Sequence, residues 1–282
     1  MENQNYDDLL SSEEQQVKKN LGFKGDPVTY VAIISDHSGS MGDPIDPDTA
    51  PIVLKKTLAM SNFNEQISTL KIESEEGMET IVSVIEFDNE ILCPYDNVPI
   101  KDVEPLTSYW TRGMTSLYDA IAYGISRIDK RMGEDEREDK AALVIIETDG
   151  FENSSDDYSK VSGGGKRIKS LIEEMENAGN WTFTFLGAGI DESFAQDLGM
   201  VAGNIQTTRV GNMHDTIYAY AAQDVGLKNF MGDRKRGVMS SKTFYDGGAG
   251  DKGGGNSEGW NSGDAPSNIL NGSTNAKDKQ GV

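Results

Sequence analysis

Three side chains whose only donors to a ligand are oxygens, Asp36, Ser38 and Ser40, alternate along the stretch Val31-Ala-Ile-Ile-Ser-Asp36-His37-Ser38-Gly39-Ser40-Met41-Gly42. In an extended loop alternate residues point the same way, so this spacing can converge one carboxylate and two hydroxyls. A hard cation is the natural guest. Mg²⁺ takes octahedral oxygen ligands at about 2.1 Å and parts reluctantly with its waters, so neutral hydroxyls and water-bridged carboxylates suit it. A soft-metal site is excluded, because the chain has one Cys and two His. Taken singly, the same residues have an ordinary alternative: Asp36 capping a loop and the serines filling turns.

The elements that must position them are equally visible. Tyr30 to Ile34 is nearly continuous and rich in β-branched residues, the pattern of a strand covered on both faces in a parallel sheet. Ligand sites in such sheets lie just beyond the carboxyl ends of the strands, which is where Asp36, Ser38 and Ser40 fall. Two later stretches share this character: Gly113-Met114-Thr115-Ser116-Leu117-Tyr118-Asp119-Ala120-Ile121, a glycine-led loop entering a helix, and Leu143-Val-Ile-Ile-Glu147-Thr148-Asp149-Gly150, a buried strand ending in acid. On its own, Thr115 reads as the N-cap of the helix that follows.

In order and spacing these three pieces resemble the von Willebrand factor A (vWA) domain and its metal-ion-dependent adhesion site. The resemblance spans roughly residues 28 to 231. It implies Ser38, Ser40 and Thr115 as hydroxyl contacts to Mg²⁺, with Mn²⁺ or Ca²⁺ as substitutes, and Asp36 and Asp149 acting through bound water and through hydrogen bonds to those hydroxyls. With few direct carboxylates such an ion keeps much of its positive character, so a protein partner's Asp or Glu can complete the coordination. His37, at the variable place of the pattern, reads as a rim residue whose imidazole could meet an acidic partner when protonated. Asp43, Asp46 and Asp48 read as a solvated acidic loop, Asp119 as a first-turn carboxylate and Glu152-Asn153 as residues that shape a loop.

Periodicity outlines the rest of a doubly wound, mostly parallel six-stranded α/β sheet with helices on both faces. Helices are expected over 49–70, 116–132, 166–178, 192–198 and 215–227, and strands over 80–87, 141–148, 181–186 and 204–208. A further edge strand is expected over 90–93, with Pro94 and Pro99 stopping its ladder. Thr49 and Pro51 suit the start of the first helix, and Gly179 its usual place at the end of another. The chain divides into an N-terminal arm or loosely docked helix over 1–27, the vWA-like domain over 28–231 and a glycine-rich tail over 232–282, whose composition suits a flexible segment.

A formal charge of −21, nearly all of it within residues 28–231, argues against a nucleic-acid ligand and repels anionic membranes. Arg234-Lys235-Arg236 is the one basic cluster. Lone Cys93 leaves no internal disulfide framework and fits a reducing compartment, and neither a membrane-length apolar stretch nor a signal-peptide start is present, so a cytoplasmic protein is expected. A compact cytoplasmic vWA-like protein with an unattached tail would also fit a bacterial or bacteriophage origin, an expectation that rests on the resemblance.

The leading functional expectation is a non-enzymatic, divalent-cation-dependent protein-interaction module. A Mg²⁺-dependent phosphatase or phosphotransferase is the enzymatic alternative. It would need a carboxylate nucleophile, usually with a second acid two residues later, and here position 38 is Ser. A third alternative is an accessory subunit of an intracellular chelatase or stress-resistance complex, with any ATPase on a separate chain.

Overall fold

The computed structural model describes residues 26–74 and 78–246. Its six strands are β1 (Val28–Asp36), β2 (Glu79–Phe87), β3 (Ile91–Pro99), β4 (Lys140–Thr148), β5 (Trp181–Ala188) and β6 (Ile205–Thr208). They form one sheet in the order β3-β2-β1-β4-β5-β6. Every neighbouring pair is parallel except β2 with β3, which is antiparallel at the edge. β1 is therefore central. All nine of its residues are buried, which explains the uninterrupted apolar run.

Among the described residues five α-helices cover the two faces: α1 (Lys55–Ser74), α2 (Leu117–Glu134), α3 (Gly164–Asn177), α4 (Glu192–Asp197) and α5 (Met213–Lys235). On one face Leu117, Ile121, Ile125 and Ile128 of α2 pack with Ile168 and Ile172 of α3 against Tyr30, Ile34, Val144 and Phe183. On the other, Phe63, Ile67 and Leu70 of α1 pack with Leu227, Phe230 and Met231 of α5 against Val31, Ile33, Leu143 and Ile145. Alternate residues of each strand thus feed opposite cores, as the two-residue strand period requires. Among the described residues no helix is long and apolar enough to cross a membrane.

The doubly wound architecture read from the sequence is present, with three local differences. The first helix begins at Lys55 rather than 49: residues 43–54 form a closed loop, pinned by a Pro44–Leu54 bridge and by Ile45 N–H donating to Val53 O at 2.9 Å. Thr49 caps nothing and instead donates its hydroxyl to Asp46. β3 runs through Pro94 to Pro99 and pairs with β2 through two register irregularities; an edge strand needs only one side of its backbone for pairing, so a proline can be absorbed there.

The third difference moves a boundary. A division after residue 231 falls inside α5, which continues to Lys235, and the chain then returns so that Phe244 and Tyr245 are buried in the α1/α5 core. Ser241 N–H donates to Thr182 Oγ1 at 2.8 Å and Phe244 N–H to Asn204 Oδ1 at 2.9 Å. Nor is the basic triplet a free patch. Arg234 is fully buried and pairs with Asp139 at 2.5 Å, Lys235 with Glu73 at 2.9 Å and Arg236 with Asp233. The expected N-terminal arm and most of the glycine-rich tail lie outside the described residues.

Candidate metal centre

β1 and β4 are neighbours in register, with Ser35 opposite Glu147, so both chains leave the sheet side by side and Asp36 and Asp149 emerge at the same end. From there the local structure follows the residue types. Asp36 Oδ1 accepts the Ser38 N–H at 2.7 Å, the two-residue carboxylate turn that Asp favours. Its Oδ2 accepts the Thr148 hydroxyl at 2.5 Å, tying the two strand ends together. Gly39–Gly42 then makes a single 3₁₀ turn that lifts Ser40 over the site. Ser38 Oγ and Ser40 Oγ lie 3.2 Å apart, and Ser40 donates to Asp149 Oδ1 at 2.7 Å.

Thr115 arrives from the β3–α2 connection. Gly39 N–H donates to Gly113 O at 3.2 Å and Arg112 N–H to His37 O at 3.0 Å, laying this loop along the Asp36–Ser40 turn. Gly113 has φ of +67°, and a Cβ there would fall 2.0 Å from Asn89 Oδ1, so only glycine fits. Thr115 does not cap α2: the N-cap position is Ser116, whose own side chain accepts no N–H of the first turn. Its N–H donates to Asn153 Oδ1 at 2.8 Å, and its hydroxyl faces Gly150. A methyl group built on Gly150 would lie 3.1 Å from Thr115 Oγ1 and 3.9 Å from Asp36 Oδ2, so these two oxygens flank one small space.

All five residues expected from the sequence therefore stand at one end of the sheet: Asp36, Ser38, Ser40 and Asp149 in one hydrogen-bonded cluster, Thr115 beside Gly150. Burial is nearly complete for both carboxylates, with Asp36 at 0 % and the Asp149 side chain at 1 % exposure. Asp149 has a cationic partner, Lys55, whose Nζ is 2.6 Å from Oδ2. Asp36 is held by neutral donors, and burial, with a smaller contribution from the charge of Asp149, pushes its carboxyl up to about 6. With one ammonium, on Asp149, for two inaccessible carboxylates, an excess of buried negative charge is left, which a cation beside the three hydroxyls would offset. The donor set fits a small hard cation on that ground. Among the described residues no group of three or more His, Cys, Asp or Glu side chains converges on a point that could hold a metal, so a site here depends on hydroxyl oxygen.

Three acids support the site, of which Glu152 shapes a loop as expected, while Asp88 carries no signal of its own in the sequence. Glu152 is buried, and its carboxylate accepts the N–H groups of Tyr118 at 2.9 Å and Ser155 at 2.7 Å, which locks the loop after Asp149 onto the start of α2. Asp119 does more than favour a helix end: it accepts the N–H groups of Asp156 at 2.8 Å and Tyr158 at 2.7 Å. Asp88, fully buried, accepts Arg112 Nε at 2.7 Å and so anchors the Thr115 loop to the end of β2.

His37 departs from its expected place. It is 1 % exposed, stacked on Tyr109 with ring centroids 3.8 Å apart, and its Nδ1 lies 2.9 Å from Trp110 O. Burial lowers its pKa to about 4. It is a neutral packing residue beneath the site and cannot present a charged imidazole to a partner near neutral pH.

A sheet ordered 3-2-1-4-5-6 with one antiparallel edge, helices on both faces, and an oxygen-rich cluster at the end of central β1 is a distinctive arrangement. Similar chains exist among solved structures: the PilB minor pilin of Streptococcus sanguinis (12 % identity, TM-score 0.50) and the pilus adhesin SpaC of Lactobacillus rhamnosus GG (12 % identity, TM-score 0.50). The fold is vWA-like. Both alignments cover 76 % of this chain, which spans 63 % of PilB and 31 % of SpaC. A von Willebrand factor type A protein from Catenulispora acidiphila also aligns, at 17 % identity and a TM-score of 0.43, over 76 % of this chain and 43 % of its own; that score is too low to argue from. No family model matches the sequence, and no curated protein matches it. At these identities the likeness of the vWA-like fold is one of architecture alone.

Proposed function

We propose that this chain is a non-enzymatic protein-interaction module that binds a carboxylate of a protein partner through a divalent cation, Mg²⁺ by preference. The observation that carries this reading is the pair of buried carboxylates beside the Ser38–Ser40 hydroxyls, Asp149 accepting from Ser40 and paired with Lys55, Asp36 held by the Ser38 N–H and the Thr148 hydroxyl with no cation of its own. Ser38, Ser40 and Thr115 would hold the ion through oxygen. Asp36 and Asp149 would orient those hydroxyls and balance the charge, Asp149 by accepting from Ser40 and Asp36 by fixing the turn at Ser38. The ion would supply a Lewis-acidic position open to a partner's Asp or Glu. A carboxylate nucleophile with a second acid two residues on, which a phosphoryl-transfer reading needs, has no counterpart at Ser38. Of the two solved structures of similar architecture one is a minor pilin and the other a pilus adhesin, an analogy at the level of fold.

Affinity capture from an extract of the source cell tests the proposal, run with Mg²⁺, with a chelator, and with Asp36→Ala. A partner retained in the first condition and absent from the other two is the expected outcome. Equal retention in all three overturns it.

A further inference from the structure

Four carboxylate oxygens face the cluster, and each already has a donor. Asp36 Oδ1 is held by a backbone N–H, Asp36 Oδ2 by the Thr148 hydroxyl and Asp149 Oδ1 by the Ser40 hydroxyl. Only Asp149 Oδ2 is committed to a charged side chain, the ammonium of Lys55 at 2.6 Å. This is not a casual surface pair. Lys55 opens α1, its own N–H donates to Asp43 O at 3.0 Å, and the loop that delivers it is closed by the Pro44–Leu54 bridge. Ile45 of that loop is buried against Leu58, Leu186, Ile217 and Tyr220. The lysine stem is thus aimed at Asp149 by packed structure, with the side chain 27 % exposed and its partner 1 %.

We propose that Lys55 is a resident cation of the site that competes with the divalent ion for Asp149, so that the chain carries a built-in brake on its own loading. This rests on the metal-site reading above and extends it. The physical ground is charge. Even at water's dielectric constant, a monovalent and a divalent cation about 6 Å apart repel by enough to change affinity about tenfold, and a site walled by protein screens them less. Lys55 also satisfies the Asp149 carboxylate in the ion's absence, which keeps the cluster assembled while it waits. A consequence is that the site responds to divalent ion over a higher concentration range than its donor set alone would give.

The test is calorimetric titration of the full chain with magnesium chloride, comparing the natural sequence with Lys55→Met, Lys55→Gln and Lys55→Arg, each first checked for a native circular dichroism spectrum. Lys55→Met and Lys55→Gln are expected to bind Mg²⁺ about tenfold or more tightly than the natural chain, and Lys55→Arg to stay close to it. Unchanged or weaker binding in both neutral variants, with the natural chain binding measurably, overturns the competition and leaves the metal site standing. No saturable binding by any of the four folded proteins overturns the metal site and this inference together.

Discussion

Ser40 donates its hydroxyl to Asp149 Oδ1 at 2.7 Å across 109 positions of sequence. A hydrogen bond of that reach is available because β1 and β4 are adjacent parallel strands, so residues just past their ends meet whatever lies between them in the chain. The bond also fixes which lone pairs of Ser40 remain free. With its proton committed to Asp149, the hydroxyl oxygen can only accept or coordinate, which is the state a cation requires.

Gly150 sits where Thr115 Oγ1 and Asp36 Oδ2 face each other, and its backbone is not in the left-handed region. Gly150→Ala therefore places a methyl in the proposed site at little cost to the fold. Thermal unfolding is expected to stay within about 1 kcal/mol of the natural chain, while Mg²⁺ affinity measured by calorimetry falls at least tenfold. Undiminished affinity would remove Thr115 from the ligand set.

Arg234 and Asp139 form a fully buried ion pair at 2.5 Å at the opposite end of the sheet, and Arg234 Nε also donates to Thr29 Oγ1 at 3.2 Å. This pair belongs to stability, since it ties the end of α5 to the starts of β1 and β4. Arg234→Met leaves Asp139 buried without its cation and is expected to cost about 3–5 kcal/mol in denaturant unfolding. A cost below 1 kcal/mol would mean the pair is more solvated than the structure indicates.

Phe244 lies beyond the point at which composition turns glycine-rich, yet it is buried against Phe230 of α5. Phe244→Ala is expected to destabilise by about 3–5 kcal/mol, the range for a buried aromatic deletion. If residues past 236 were dispensable, urea unfolding of this variant would match the natural chain.

Burial raises the Glu147 carboxyl above its ordinary range, although Asn62 donates to it at 2.9 Å and Gln66 donates as well. A raised folded-state value means the folded chain binds a proton more readily than the unfolded one. Its contribution to stability is therefore full below the ordinary carboxylate range and is lost as pH rises through the raised value. Asp36 acts with the same sign, so the variant isolates the effect. Glu147→Gln keeps an acceptor toward Asn62 and Gln66 and drops the charge, and it is expected to melt above the natural chain at pH 7, with the gap narrowing on acidification. A lower melting temperature at pH 7 would contradict this account.

How much of this was legible in sequence follows from how local each signal is. β1, β4 and β5 announce themselves because a strand covered on both faces must be apolar throughout, and the meeting of the five candidate residues at one end of the sheet is legible because each sits just past such a strand or just before a helix. Residues 43–48 read as a loop and form one, whereas 49–54 read as helix because Thr49 and Pro51 have the chemistry of a helix start, while the Pro44–Leu54 closure that overrides them is a pairing across the loop. Phe244 and Tyr245 read as part of a tail because the surrounding glycines dominate any window of composition, and two aromatics anchor a segment only where the fold leaves a place for them. Lys55 and His37 were beyond reach for the same reason: one is aimed at Asp149 by distant packing, the other is drawn under Tyr109 by a loop more than seventy residues away.

Magnesium titration of the full chain by calorimetry, with Asp36→Ala and Ser40→Ala alongside, is the most direct test of the claim that these oxygens gather around one divalent ion. The account predicts one saturable site per chain in the natural protein and its loss in both variants while each stays folded. Saturable binding that survives both substitutions, or a flat titration of the folded natural chain, would contradict it.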